Sequence, residues 1–403
     1  MKRKLNTIMF IMAFTTLTYN MAHPVTPQLI AEQGHGPAFM GIVFAAMAFA
    51  NFAMSPVWGR LTDRYGRKPV MLIAPIGYGI AQLGFGYSMS PGWIIFFRLL
   101  AGTMASASFI GGTAYIVDVS NREERSKQLA FYTAITGFTG TLGYMLGGWI
   151  GNNDYHDAFI WQAIFSFLLG LLIFLVLQES HQPVHVDQTE KAKTKSQLSI
   201  QWNMTIIIVL FVVFLTGLIY KGFDISFNSY LKFTLDFEPF EIGLAMAASG
   251  LVGLVTNFIL YPLFKKRYND FYLLLTSIVI MAVTAFLFIF NLSSVTQVLL
   301  IAVFFACLAL YKPLLQAILS KMSKRNGEIM GWNNAANSIG LVIGSSALGA
   351  IYEFNDTFAF LTLAIVAIVA TVLLLVQKKP LTPYVKEDHH EEKDSSKLYS
   401  KAK

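Results

Sequence analysis

Runs of about twenty apolar residues recur along the whole chain, each closed by a short polar or charged break. A helix rises about 1.5 Å per residue, so one such run matches the ~30 Å hydrocarbon layer of a bilayer. Twelve runs are placed, at 5–23, 38–58, 69–88, 92–117, 128–150, 158–178, 202–226, 240–263, 271–291, 295–319, 328–351 and 357–377. They lack period-two alternation, and open strands would leave unpaired edges in lipid, so the pattern predicts helices throughout. The predicted fold class is an all-α polytopic membrane protein. Lys2, Arg3 and Lys4 ahead of the first run have the form of a secretory leader. The length of that run and the eleven that follow make it an uncleaved first span.

The longest internal break, 179–201, is polar and charged and divides the spans six and six. It separates an N-terminal six-helix bundle (1–178) from a C-terminal one (202–377). The tail 378–403 is charged, poor in apolar residues and expected to be disordered. "NFAMSPVW" at 51–58 and "NFILYPLF" at 257–264 share Asn, Phe and Pro at one spacing. Both end the second span of their half and precede a basic loop, which points to two related halves, the repeat logic of many transporters.

Composition supports the membrane reading. Of 403 residues 55% are hydrophobic and 13% charged, with a mean hydropathy of +0.55. That leaves too little polar surface to cover a soluble protein of this length. The charges also set an orientation. Of the 30 Lys and Arg residues, all but Arg98, Lys221, Lys232 and Lys312 fall at the N-terminus, in alternate loops, in the central break or in the tail. The opposite loops hold acids such as Glu32, Asp154, Asp236, Glu353 and Asp356. Positive charge stays inside, so both termini are expected in the cytoplasm. The net charge of +7 is absorbed by that orientation, and no nucleic-acid partner is expected. The six Trp residues lie near span ends, where an indole anchors at the headgroups. Cys307 is the single cysteine and excludes an internal disulfide.

One loop needs more than orientation to explain it. Residues 59–68 read GRLTDRYGRK, between spans 2 and 3. Anchoring accounts for Arg60, Arg64, Arg67 and Lys68 but not for Gly59, Asp63 and Gly66. Gly66 suits a turn with positive φ, and Gly59 a close approach to a neighbouring helix. This stretch resembles the signature loop of the major facilitator superfamily, G-x-L-x-D-R-x-G-R-K, and twelve spans in two halves resemble that family over the whole chain. The resemblance implies two pseudo-symmetric six-helix bundles and a cytoplasmic conformational latch made of Gly59, Asp63, Arg64, Gly66, Arg67 and Lys68. Asp63 would cap the inner end of span 11, and the loop's Arg would pair with an acid at the inner end of span 4, where Asp118 stands.

Four ionisable residues lie within spans, where a charge is expensive and by default functional. Arg98 stands in "FFRLLAG", similar to the family's span-4 motif R-x-x-Q-G with Ala101 in place of Gln; the resemblance implies a link to proton movement, and snorkelling is the alternative. Asp224 can exchange protons or attract a cation; a salt bridge with Lys221, one turn away, is the alternative. Lys312 could hold an anionic substrate or pair with Asp224. "GTLGYMLGGW" keeps Gly143, Gly147 and Gly148 of the family's glycine-rich antiporter motif, with Tyr144 where Pro is expected, and implies helix packing against span 8. Asn333, Asn334 and Asn337 in span 11 either glue helices together or line a cavity.

The expected function is a secondary transporter, closest to the proton-coupled exporters of amphipathic or cationic drugs, working by alternating access. The alternative is a symporter or facilitator for a sugar or other small metabolite. A non-transporting sensor or scaffold has no need of a latch. No nucleotide-binding G-x-x-x-x-G-K loop, metal cluster or nucleophile–base pair stands out, so an enzyme is not expected. The expected partners are a small-molecule substrate, protons and the lipid bilayer. The expected energy source is a proton gradient with no cofactor or metal, and the expected form is a monomer in the cell membrane.

Overall fold

The computed structural model describes residues 2–121, 124–180, 202–290, 294–322 and 326–385. The helices run in the order α1 (Lys2–Asn20), α2 (Thr26–Glu32), α3 (Pro37–Tyr65), α4 (Arg67–Tyr87), α5 (Pro91–Val119), α6 (Arg125–Ile150) and α7 (Tyr155–Val176). After the central break come α8 (Met204–Ser229), α9 (Pro239–Val255), α10 (Tyr261–Lys265), α11 (Asp270–Leu287), α12 (Ser294–Lys321), α13 (Asn326–Phe354), α14 (Asp356–Val376) and α15 (Lys378–Val385). Each predicted span has a helix. Among the described residues, 10 helical segments are long and apolar enough to cross a membrane. The first and fifth spans, α1 and α6, are long as well, but Thr, Asn and the basic N-terminal residues in α1, and Thr and Gly in α6, lower their hydropathy. Those polar positions face each other: the Thr16 and Thr139 hydroxyls are hydrogen-bonded at 2.8 Å.

Four features depart from the sequence pattern. The basic loop is mostly helix: α3 runs on to Tyr65 and α4 starts at Arg67, leaving Gly66 alone as the turn, with φ +99°. That φ is open to glycine and strained for other residues. The short helix α2 has no counterpart among the predicted spans, because seven residues are too few to read as one; Thr26, Pro27, Leu29 and Ile30 bury it. Two five-residue π-helical turns, Tyr230–Thr234 and Thr256–Leu260, extend α8 and α9. The second ends two residues before Pro262, whose ring and missing N–H disfavour the regular ladder. Finally, residues 378–385, expected to be disordered, form α15, because its Leu381 is fully buried as the helix packs on α12. The remainder of the tail and residues 181–201 lie outside the described residues.

The described residues group into two compact units. The first holds α1–α7 together with Lys221–Leu254 and Leu341–Ala359. In it α3 and α4 pack on α5, α4 on α7, and α1 on α6. Its centre is a stack of Tyr19 on Tyr78, with ring centroids 3.6 Å apart, tied by Tyr19 Oη to Ser108 at 2.6 Å. One face of this unit carries the Gly66 turn and is basic. The other carries Asp154, which caps α7 by accepting from the His156 N–H at 2.9 Å. That bond holds the Asp154 carboxyl below its ordinary range.

On the acidic face of this unit the two sequence halves meet at glycines. A Cβ on Gly143 would strike the Leu17 carbonyl in α1, one on Gly147 that of Met21 just after α1, and one on Gly148 that of Pro239, crowding Gly243 in α9. The family motif therefore packs α6 against both spans: Gly143 and Gly147 face the first, while Gly148, the Tyr144 carbonyl at Gly243 and Thr141 at Gly250 face the eighth. Gly41 of α3 lies equally close to Ser345 and Gly349 of α13. Gly59 behaves otherwise: a Cβ there meets nothing within 4 Å. Among the described residues, the close helix approach expected at Gly59 is not made.

The second unit holds the described residues up to Tyr220 after the central break, Val255–Gly340 and those from Phe360 onward. Here α11 packs on α12. Helices α8 and α13 touch through Gly217, set against the Asn337 backbone, and Gly340, set against the Phe214 carbonyl. The Tyr311 hydroxyl of α12 donates to the Thr216 carbonyl at 3.3 Å.

These contacts separate two kinds of glycine. Gly147→Val should cost about 1–3 kcal/mol or prevent folding, since backbone must move to admit the side chain. Gly59→Ala should be neutral or slightly stabilising in a helix interior. Denaturant unfolding in detergent checks both; equal stability losses would contradict the assignment.

Candidate functional site

The basic face of the first unit is organised around one guanidinium. Arg67 Nε donates to Asp118 Oδ2 at 2.9 Å, and Nη1 donates to the Thr62 carbonyl at 2.8 Å and to Asp63 Oδ1 at 3.0 Å. The residue is 9% exposed. Asp118 also accepts from the Ser180 hydroxyl at 3.0 Å. The structure thus brings Asp63, Arg67 and Asp118 together; Asp63 bonds an arginine one helical turn away across the glycine turn. Arg64 lies over the Tyr65 ring at 5.2 Å, and the Lys68 ammonium donates to the Phe174 carbonyl at 2.9 Å. Arg60 donates to the Pro56 carbonyl at 3.2 Å.

A residue outside the motif completes this cluster. Both oxygens of Glu179 accept from the first N–H groups of α4, those of Arg67 and Lys68, at 3.0 Å each. Those N–H groups have no intrahelical partner, and the helix dipole favours an anion at that end. The carboxylate sits against Gly66, in the space a Cβ would take. So Gly66 is required twice, for its φ and for this approach. The only sequence signal for Glu179 is its place as the first acid after the sixth span.

Near the acidic face a second arginine is held without an acid. Arg98 is 1% exposed, about 10 Å along α5 from its start. Its Nη2 donates to Thr26 Oγ1 at 2.9 Å, and Nη1 approaches Met47 Sδ at 3.7 Å. The guanidinium lies 3.6 Å from the Phe85 ring centroid and 5.5 Å from that of Phe44, a desolvated cation–π geometry. Its Nε has no partner. Such burial rules out snorkelling to the surface. Thr26 is presented by α2, the helix the hydropathy pattern does not show.

The same Phe44 ring joins Arg98 to the seventh span. Lys221 Nζ sits 4.5 Å from its centroid and His23 stacks on it at 5.6 Å. Lys221 also donates to Asp224 Oδ2 at 2.5 Å, while Asn228 Nδ2 lies 3.3 Å from Asp224 Oδ1. The salt bridge that competes with a free Asp224 is therefore formed. Farther along this face, Glu353 of α13 accepts from the Ala38 N–H at 2.8 Å, at the start of α3. The hydroxyls of Thr234 and Tyr352 are bonded at 2.7 Å, and the Phe240 N–H donates to Asn152 at 3.2 Å.

The second unit holds a cavity of about 90 Å³ among α8, α12 and α13. Lys312, Gln316, Asn333, Asn334 and Asn337 line it with Thr216, Tyr311, Val213 and Leu315. The asparagines of the eleventh span thus border a cavity. Asn333 is 3% exposed and donates to Asn334 Oδ1 at 3.2 Å. Gly217 permits this by letting α8 approach the Asn337 backbone.

Two outcomes test these bonds. Arg67→Met leaves the Thr62 carbonyl and the partly buried Asp118 unpaired and should lower stability by about 1–3 kcal/mol, against about 0.5 kcal/mol or less for Arg60→Met, read by denaturant unfolding. Glu353→Ala should raise amide exchange at Ala38 severalfold, measured by hydrogen-exchange mass spectrometry; unchanged protection would mean that the carboxylate does not hold this helix start.

Comparison with known proteins agrees with this architecture. The family model described as Major Facilitator Superfamily matches residues 8–345 and, in an overlapping second match, 209–401. Multidrug resistance protein 1 of Bacillus subtilis (strain 168) is 25% identical over 362 residues, covering 89% of this chain and 92% of that protein. Quinolone resistance protein NorA of Staphylococcus aureus (strain MSSA476) is 22% identical over 384 residues, 94% of this chain and 97% of the other. Among solved structures, a bacterial homolog of the human lysosomal transporter Spinster aligns over 96% of this chain and 98% of its own, at 12% identity and TM-score 0.76. A D-xylose–proton symporter aligns over 91% and 96%, at 15% identity and TM-score 0.74. With the signature turn, the helix order and the family match in agreement, the chain belongs to the major facilitator superfamily of membrane transporters.

Proposed function

We propose that this transporter exports amphipathic or cationic drugs across the cell membrane in exchange for protons, by alternating access. The observation that carries the reading is the set of full-length relatives named for multidrug and quinolone resistance. The chemistry around Asp224 supports it. A carboxylate in a membrane span, held by one amide and by an ammonium that itself lies over the Phe44 ring, can exchange its cationic partner for a cationic substrate. Arg98 and Lys221 share that ring, so a change at either alters the field at the other.

In this reading both termini lie in the cytoplasm, the proton gradient supplies the energy and the monomer is the working unit. The Arg67 cluster is the cytoplasmic latch. The glycine contacts of α3 with α13 and of α6 with α9 form the outer seal, which parts when the carrier turns outward. A few such bonds suffice to bias two states separated by a few kcal/mol. A second reading, a proton-linked symporter or facilitator for a polar metabolite, draws its support from the amide-lined cavity at Lys312.

Proton release decides between them. Ethidium added to the purified protein in unbuffered detergent should acidify the medium, and Asp224→Asn should abolish the signal. Release that persists in the variant would keep exchange and remove Asp224 as the carrier. No release with any lipophilic cation, while a metabolite binds, would replace drug export by the second reading.

A further inference from the structure

The cavity of the second unit carries a single formal charge. Lys312 supplies it from α12, and the other polar walls are the neutral side chains of Thr216, Gln316, Asn333, Asn334 and Asn337. Among the described residues no carboxylate lies within ion-pairing distance of the Lys312 ammonium. Lys221 is the contrast: it has Asp224 at 2.5 Å and an aromatic ring as well. An ammonium within a membrane span normally pairs with an acid, a carbonyl or water. Here the surrounding groups are mostly primary amides, whose N–H groups donate to an anion while their carbonyls accept from the ammonium.

Size narrows the ligand. About 90 Å³ corresponds to some three waters at ~30 Å³ each. That admits a carboxylate head and excludes the body of a drug-sized molecule. We propose that this cavity is a head-group site for amphipathic substrates that bear a carboxylate. Lys312 makes the charge-assisted bond and the amides of Asn333, Asn337 and Gln316 serve the remaining lone pairs. The inference rests on the transporter reading and adds to it a chemical class of substrate, zwitterions included. It also gives the buried Asn333 a role beyond helix adhesion, since its amide reaches the same space as Lys312.

The test is equilibrium binding to the full-length protein in lipid nanodiscs near neutral pH. Benzoate, 1-naphthoate and octanoate are each compared with the corresponding primary amide, which keeps the apolar body and removes the charge. At least one carboxylate should bind about tenfold more tightly than its amide. Lys312→Met should remove that preference and Lys312→Arg should retain most of it. Asn337→Leu leaves the ammonium in place and should weaken carboxylate binding severalfold; it decides the matter if Lys312→Met does not fold. Equal binding of acid and amide, no binding of either, or a preference that survives Lys312→Met or, where that variant does not fold, Asn337→Leu would overturn the site. Ethidium-triggered proton release measured on the same preparation separates the two readings. A carboxylate preference without release removes drug–proton exchange and leaves the site standing; release without the preference does the reverse.

Discussion

A bilayer interior offers no water to a polar group, and the rest of this structure follows from that constraint. It forces every span to be a helix that satisfies its own backbone. It also makes each ionisable side chain within a span depend on what the protein places beside it. The four such residues are answered in different ways. Arg98 is enclosed by a threonine hydroxyl, a thioether and two aromatic faces. Lys221 and Asp224 answer each other across one helical turn. Lys312 borders a cavity of neutral amides. On an insertion scale each such charge costs about 2.5–3.5 kcal/mol near the centre of a span, so a chain keeps them where they act.

The second determinant is how closely helices approach. Lipid gives helices little reason to associate beyond packing, so small residues decide which pairs touch. In the first unit α6 meets α1 at Gly143 and Gly147 and meets α9 at Gly148, and α3 meets α13 at Gly41 and Gly349. In the second unit Gly217 and Gly340 join α8 to α13. These contacts are backbone to backbone and carry no charge. Such contacts leave no charged or hydrogen-bonding side chain stranded in the membrane. The Arg67 cluster is built differently. Its donors and acceptors sit at a helix end, and its Asp63 carboxylate is largely exposed, so water can replace these bonds.

Much of this was legible in the sequence. The apolar runs mark every long helix, because a span's length and hydropathy are local properties. Gly66 was assigned to a positive-φ turn and has φ +99°. The resemblance sets an arginine of this loop against Asp118 without saying which; the structure places Arg67 there, 2.9 Å away. Helix α2 is short and only moderately apolar, so no window registers it, yet it presents Thr26 to Arg98. Gly59 belongs to the signature, yet a Cβ there would meet nothing among the described residues, so its place in the motif does not come from a close approach.

By itself the sequence determined the membrane class, the order of the long helices, the grouping of basic residues in alternate loops and the identity of the few ionisable residues within the apolar runs. All of these depend on composition within a window of about twenty residues. Tertiary structure alone decided their partners: that Glu179 caps α4, that Phe44 is shared by Arg98, Lys221 and His23, that Glu353 holds the start of α3, and that three asparagines and Lys312 border one cavity. Each of those pairings joins groups that are distant in the chain or turned by a local irregularity. Packing places them there, and no local pattern encodes packing.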